Sequence, residues 1–294
     1  MFFVRISLMV MTLFLSACQV LPADTLNVPL DTGRFMAPKG YASMQSNEIR
    51  EASGLVRSAV NPGLLWTHND SGDAARVFLI DPLSGSIRME VVLDGVKNID
   101  FEDITLREED GQSKLVVADI GDNRAVRDEV VLYQFNEPEL GDLPSLTIPF
   151  EKLEVMRLRY VEGPRDAESL MAAPDGSLVL LTKREEQVLI YPFHFEPGSS
   201  TLESSGELAL SMVTAGDMNE AGEILIRTYD AIYYWPKAPG ELAERLATGP
   251  GARVLAPSEI QGEAICWDGQ GGFYTLSEQL LFSTQRVFHA LSAQ

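Results

Sequence analysis

The chain is poor in cysteine, histidine and basic residues. It has two cysteines and three histidines among 294 residues, and 23 Lys and Arg against 43 Asp and Glu, for a formal net charge of −20 at pH 7. The shortage of positive charge excludes nucleic acid as a partner and argues against electrostatic adsorption to anionic lipid. It suits a soluble surface, a bound cation or a basic partner.

Long apolar runs are missing except near the N-terminus. Residues 6–15 follow Arg5 and are too short to cross a bilayer, so residues 1–17 are predicted to be a secretory signal peptide. The sequence Leu15-Ser16-Ala17-Cys18 resembles the lipobox of bacterial lipoproteins. This resemblance implies acylation of Cys18 and, with Gln19 next, sorting to the outer membrane, facing the periplasm or the cell exterior. An ordinary signal peptide cut after Ala17 is the alternative.

After such cleavage, residues 18–25 would form a tether and residues 26–294 a single domain, because that length fits one barrel or propeller. With Cys18 lipidated, Cys266 stands alone, so no internal disulfide forms, and its apolar surroundings indicate a buried, inert thiol. The chain has no G-x-S-x-G motif, no P-loop and no glycine-rich dinucleotide motif. Serine-hydrolase and nucleotide-fold interpretations therefore have no support.

The chain does contain one acidic residue just ahead of a strand-like run, repeated along its length. The five positions are Glu51, Glu102, Glu168, Asp217 and Glu263, separated by 51, 66, 49 and 46 residues. A period near fifty in a sequence rich in β signals is typical of a β-propeller. Each repeat carries signals for four strands separated by turns, which predicts an all-β, five-bladed propeller with four strands per blade.

Two segments do not fit the simple repeat. The last repeat lacks a clear fourth strand, so residues 26–30 are predicted to complete it and to close the ring from the N-terminal side, which removes exposed strand edges. The second interval is long because residues 124–163 hold extra sequence, with an ill-defined fourth strand near residues 146–150. A sixth blade hidden in this insertion is the alternative.

The acids are predicted to meet at one end of the ring. In an antiparallel blade, the start of strand one and the end of strand two emerge on the same rim. Carboxylates crowded there repel one another unless a cation joins them, and oxygen ligands without clustered His or Cys suit calcium. The ligands predicted from the repeat are Glu51, Glu102, Glu168, Asp217 and Glu263. The alternative is that each acid accepts backbone hydrogen bonds from a neighbouring blade.

The same rim collects polar loop residues. His68, Asp70, Lys183, Arg184 and Arg227 are candidate catalytic residues, with the basic groups neutralising an anionic substrate and His68 or Asp70 activating water. Their alternatives are Asx-turns for Asp70, solvent exposure without a role for His68, and surface ion pairs for the basic residues. His194 and His289 lie at non-equivalent repeat positions, which argues against a histidine-ligated metal.

The blade-start acids resemble those of calcium-activated nucleotidases of the apyrase type, five-bladed propellers with one calcium ion on the axis. Glu102, Glu168 and Glu263 match the glutamates of that pattern, and Ser53 could match its hydroxyl ligand. The fourth repeat departs, since Asp217 or Thr214 stands where the family has serine. The chain also resembles phytase-like and esterase-like bacterial propellers. The resemblance implies the fold and the cation site, and leaves the reaction open.

Two functions follow from these features. One is a lipid-anchored propeller with calcium at an acidic axial site and a rim that binds a small-molecule or protein ligand. Its metal-free counterpart is a pure interaction scaffold. The other is a calcium-dependent hydrolase of phosphoesters or esters, and fold alone does not decide between them.

Overall fold

The computed structural model describes residues 28–259, 261–279 and 285–293. These residues form 23 strands and one short α-helix, arranged in five sheets. The sheets are the blades of a propeller, which confirms the all-β, five-bladed prediction and leaves no sixth blade in the described part of the chain. Cys18, the signal peptide and the tether lie outside the described residues. No helix among the residues described is long and apolar enough to span a membrane.

Each blade has four antiparallel strands, numbered here in chain order and given from the axis outward. Blade 1 contains β3 (Ala52–Arg57), β4 (Leu65–Asn69), β5 (Arg76–Asp81) and β6 (Ser86–Asp94). Blade 2 contains β7 (Phe101–Glu109), β8 (Gln112–Asp119), β9 (Val130–Asn136) and β11 (Glu154–Tyr160). Blade 3 contains β12 (Ala167–Ala172), β13 (Ser177–Thr182), β14 (Val188–His194) and β16 (Gly206–Leu208).

Blade 4 contains β17 (Val213–Met218), β18 (Ile224–Thr228), β19 (Ile232–Trp235) and β20 (Ala252–Val254). Blade 5 contains β21 (Gly262–Trp267), β22 (Phe273–Ser277), β23 (Arg286–Ala290) and β2 (Lys39–Ser43). The remaining elements are β1 (Leu30–Asp31), β10 (Ser145–Pro149), β15 (Gly198–Leu202) and the helix α1 (Leu242–Ala247).

The core lies between the blades. Inner strands such as β12 are buried on both faces, because each packs against the strands of its two neighbouring blades. Between blades 1 and 2, for example, Trp66 and Phe101 belong to one buried apolar cluster with Tyr133. This packing holds the inner strands in a ring, and the beginning of each inner strand therefore points to the same end of the axis.

An N-terminal strand closes the ring, as predicted, but it is not the predicted segment. The closing strand is β2, which pairs antiparallel with β23 and completes blade 5. The described end of the predicted segment, Leu30, lies in β1, which pairs in parallel with β20 of blade 4. The prediction failed because β1 and β2 are both short strands, and only the pairing partner distinguishes their roles.

The insertion in the second repeat also differs from its prediction. The segment expected to be the fourth strand of blade 2 is β10, which instead pairs in parallel with β6 at the outer edge of blade 1. The fourth strand of blade 2 is β11, which pairs antiparallel with β9. The long interval between repeats thus reflects an added edge strand.

Candidate cation site at the propeller axis

Every inner strand begins with a register shift opposite the second strand of its blade. The shift falls at equivalent places in β3, β7, β12, β17 and β21, and a bulge of this kind leaves a residue unpaired and redirects its side chain. The residues at the shift are Ser53, Glu102, Glu168, Thr214 and Glu263. The bulge therefore places one oxygen-bearing side chain per blade around the axis.

The two hydroxyl members of this ring are occupied by neighbouring blades. Ser53 Oγ donates to the main-chain oxygen of Glu102 at 2.6 Å, and Thr214 Oγ1 donates to that of Gly262 at 2.7 Å. Both bonds join an inner strand to the inner strand of the next blade. Ser53, predicted as a metal ligand, thus has a structural hydrogen bond to the neighbouring blade.

Carboxylates gather around Glu102 in two overlapping groups. Asp70, Asp100 and Glu102 form one triad, and Glu102, Asp166 and Glu168 form the other, with one oxygen of each residue within 4.8 Å of the others. Asp70 follows strand β4, and Asp100 and Asp166 lie two residues before the glutamates of their blades. We refer to these as the Asp70 triad and the Asp166 triad. Carboxylate oxygens at this spacing are the donor set that a hard divalent cation requires.

The loop after β8 supports both triads. Gly121 leaves room beside the acids, because a Cβ at this position would lie 2.1 Å from Glu102 Oε1 and 2.6 Å from Asp100 Cγ. The main-chain N–H of Asp122 donates to Asp166 Oδ1 at 2.8 Å. Buried Asp119 forms an ion pair with Arg127 at 2.8 Å. The loop is therefore fixed by its own hydrogen bonds while its glycine keeps the site open.

Burial and mutual repulsion shift the acids toward their neutral forms. Burial, followed by the charge of Glu168, raises the pKa of Glu102 well above its usual value. Burial, with the charges of Asp70 and Asp166, raises the pKa of Asp100 to about 6. Burial likewise raises the pKa of Glu263 to about 8. A divalent cation would reverse these shifts, since it favours the ionised form of each carboxylate that it contacts.

Three basic residues predicted to lie on the rim are held in ion pairs. Lys183 is 4% exposed and its ammonium contacts the carboxylate of Glu168. Arg184 pairs with Asp166 at 2.5 Å and is partly exposed. Arg227 is buried and pairs with Glu259 at 2.5 Å. All three are thus ion-paired, but the predicted surface pairing fits only Arg184, because Lys183 and Arg227 are buried.

Several predicted residues do not join the acidic triads. Glu51 is exposed before β3, and its main-chain oxygen accepts a hydrogen bond from the Asp70 N–H at 2.8 Å. His68 is fully buried rather than on the rim, with Nδ1 3.0 Å from the main-chain oxygen of Asn69. Its ring packs edge-on against Phe101. The prediction that His68 reaches the rim is wrong, because the last residues of β4 turn inward between blades 1 and 2.

Asp217 faces the other end of the axis. Its carboxylate accepts the main-chain N–H of Trp267 at 2.8 Å, and burial raises its pKa to about 7. It lines a cleft of about 1050 Å³ bounded by the turns that follow the inner strands, together with Arg57 and Glu220. Thr214, the alternative named for the fourth repeat, holds the blade position equivalent to the glutamates.

Sequence reasoning missed Asp100 and Asp166. The signal was present as a repeated D-x-E pattern, Asp100-Phe101-Glu102 and Asp166-Ala167-Glu168. Alternation places residues two apart on one face of a strand, so the pattern predicts two carboxylates on the same side. The bulge at the second acid modifies this alternation, but both side chains still reach the triads.

No protein-family model matches the chain, and no curated protein matches it. Among solved structures it is similar to the PQQ-bound aldose sugar dehydrogenase of Streptomyces coelicolor, at 10% identity and a TM-score of 0.50, covering 90% of this chain and 99% of that chain. It is also similar to a gluconolactonase of Xanthomonas campestris, at 9% identity and a TM-score of 0.48, covering 90% of this chain and 97% of that chain. It is similar as well to regucalcin of Agrobacterium tumefaciens, a calcium-binding protein, at 11% identity and a TM-score of 0.45, covering 90% of this chain and 96% of that chain. The first supports the fold alone, and none of the three decides function.

Proposed function

We propose that this protein is a propeller whose acidic axial site binds a divalent cation, calcium first among the candidates, and whose adjoining rim binds a small-molecule or protein ligand. The observation that carries the proposal is Glu102. This residue is 3% exposed, its carboxylate belongs to both triads, and its only hydrogen bond among the described residues is a marginal contact of 3.5 Å from Ser53 Oγ. Buried charge of this kind needs a compensating partner.

Calcium fits the donor set better than softer metals do. The triads contain only carboxylates, and His68 is sequestered outside them. Calcium takes six to eight oxygen ligands in flexible geometry and accepts water or a ligand's oxygens where the protein supplies too few. Asp70 of the triad and Glu278, the residue that follows β22, are both half-buried. The site is therefore reachable from solvent, and a ligand can approach the bound ion.

The hydrolase alternative has weaker support. It assigns water activation to His68 or Asp70, but the imidazole is buried and Asp70 belongs to the proposed cation site. It assigns charge neutralisation to Lys183, Arg184 and Arg227, of which Lys183 and Arg227 are paired inside the protein. Arg184 alone of these basic residues is partly exposed. The proposal also includes a lipid anchor on Cys18 and sorting to the outer membrane. This part rests on the resemblance of residues 15–18 to a lipobox.

The cation proposal is tested by thermal unfolding of the soluble form, with Cys18 replaced. Adding calcium to chelator-treated protein should raise the Tm by several degrees, because a ligand present at about a hundred times its Kd and bound only by the folded state contributes about 2.7 kcal/mol. The Glu102→Gln variant should lose most of this shift. The exposed Glu207→Gln variant on β16 is the matched control and should keep it. Equal Tm values with calcium and with chelator for the unchanged protein would refute the proposal.

A further inference from the structure

We infer that Lys183 acts as a resident cation within the acidic site, so that the site takes a single divalent ion on the Asp70 triad. This inference rests on the proposed cation binding and goes further, because it assigns the position and the number of ions. The Asp166 triad would provide the second half of a two-ion site if Lys183 were absent.

Lys183 is fixed in place from several directions. Lys183 directly follows β13. Its main-chain N–H donates to the main-chain oxygen of Asp166 at 2.9 Å, and its own main-chain oxygen accepts a hydrogen bond from the Met212 N–H at 2.7 Å. Its ammonium contacts Glu168 and lies 4.7 Å from the centre of the Tyr229 ring. A lysine that is anchored at its main chain and stacked at its ammonium cannot leave the axis without breaking these contacts.

The two triads differ in how far their charge is already compensated. In the Asp166 triad, Glu168 is paired with Lys183, and Asp166 accepts from Arg184 and from the Asp122 main chain. In the Asp70 triad, by contrast, neither aspartate has an ion pair in the part of the chain that the structure describes, and Lys183 and Arg127 attract Asp70 and Asp100 only from a longer distance. The uncompensated charge is therefore on the side of Asp70 and Asp100.

Glu102 joins the two sides and gives an independent sign of a missing cation. This carboxylate is buried, is a member of both triads, and lacks a hydrogen bond of ordinary length among the described residues. A carboxylate shared between two ligand sets is the usual bridge of two-ion sites, whose ions lie about 3.5–4 Å apart. The ammonium of Lys183, in contact with Glu168, would repel a second ion on that side.

The experiment is a calcium titration of the folded, soluble protein by calorimetry, with Lys183→Met as the test variant. The unchanged protein should bind one ion and Lys183→Met should bind two, since the variant frees Glu168. A wild-type stoichiometry of two, or of one in both proteins, would overturn the inference while leaving cation binding intact. No binding by wild type would instead refute the proposed function.

A double variant controls for the charge that Lys183→Met leaves unpaired. Lys183→Met with Glu168→Gln removes both charges of the pair and one ligand of the Asp166 triad, so it should return to one ion. Two ions in the double variant would overturn the assignment of the second position to Glu168.

Should Lys183→Met fail to fold, two single variants still decide the position of the ion. Asp100→Asn should weaken calcium binding by more than about tenfold, whereas Glu168→Gln should weaken it by less than about tenfold, because only Asp100 is a ligand of the bound ion. The reverse order would place the ion on the Asp166 triad and overturn the inference. Asp175→Asn, in an exposed turn at the opposite end of β12, is the matched control.

Discussion

His68 lies wholly inside the propeller, and its surroundings set its charge. Desolvation lowers the pKa of the imidazole to about 4, and the main-chain groups of Asn69 and Asp103 offset this only in part. A Cβ at Gly54 would lie 2.5 Å from His68 Nε2, so the neighbouring strand must carry glycine for the ring to fit. The side chain is therefore neutral at physiological pH and contributes packing between blades 1 and 2.

The buried imidazole predicts a loss of stability in acid. Between pH 6.5 and 4 the unfolded chain binds a proton that the folded protein does not, so the contribution present above pH 6.5 falls by about 3 kcal/mol as the pH reaches 4. Relative to His68→Gln, the unchanged protein should thus lose unfolding free energy over this range. Denaturant unfolding at a series of pH values measures the difference. A flat difference between the unchanged protein and His68→Gln across this range would contradict the assignment.

The elements of this propeller protect one another's edges by a single rule. The segment that precedes the fourth strand of a blade covers the outer edge of the preceding blade, and in blade 5 this segment is the N-terminal stretch ahead of β2. In three cases it adds a parallel strand, as β10, β15 and β1 do at β6, β11 and β20. The helix α1 packs beside β16, and the turn before β6 bonds to the chain just after β2, where the Gln45 N–H donates to the Gly85 oxygen at 2.9 Å. The outer edges of the fourth strands of blades 1, 2 and 4 are thereby paired, and that of blade 3 packs beside α1, which limits the unpaired strand edges that invite aggregation.

The rule predicts different costs for proline in two outer strands. Ala42→Pro in β2 disrupts pairing with β23, so it should open the ring and lower the free energy of unfolding by about 3 kcal/mol or more. Thr147→Pro in β10 disturbs only an added edge strand of a blade that retains four strands, and should cost clearly less. The midpoint of urea unfolding measures both. Equal losses would show that ring closure through β2 has no special importance.

At the scale of the whole molecule, negative charge is in excess and is concentrated near one end of the axis. The formal net charge is −20, and the acids of both triads lie together at the start of the inner strands. Self-repulsion of this kind destabilises a compact state and is screened by salt. The ring tolerates it because apolar clusters between the blades hold the inner strands together right up to the acids, with Phe101 and Ala167 buried directly beside Glu102 and Glu168.

The charge distribution predicts two separable effects of added salt. Raising sodium chloride from about 10 mM to about 150 mM should increase the Tm through screening, as the Debye length falls from about 30 Å to about 8 Å. Calcium should raise the Tm further at constant ionic strength, because it binds a site rather than screening at a distance. Scanning calorimetry at matched ionic strength separates the two. A calcium effect no larger than that of the matched sodium salt would contradict site binding.

Individual residues show how much of the site could be predicted from the sequence. Glu102, Glu168 and Glu263 were identified because they recur one per repeat, and recurrence places residues at equivalent points of a ring. Asp217 has the same spacing, but it lies three residues after Thr214. It is therefore near the end of β17, whereas the glutamates lie near the starts of their inner strands. An interval counted in residues does not resolve a shift of this size, since the intervals themselves vary with loop length.

The amino-acid sequence determined the number of blades and their inner strands, because the alternation of buried and exposed residues is a local property that can be read along the chain, whereas the fourth strands of blades 2 and 5 depended on which strand they pair with. Only the tertiary structure decided which acids share a space, that Lys183 enters it, and that His68 is excluded from it. Those outcomes depend on groups from different blades, such as Asp70, Glu102 and Lys183, that meet only when the ring closes. Electrostatic energy depends on distances in space, which spacing along the chain does not specify.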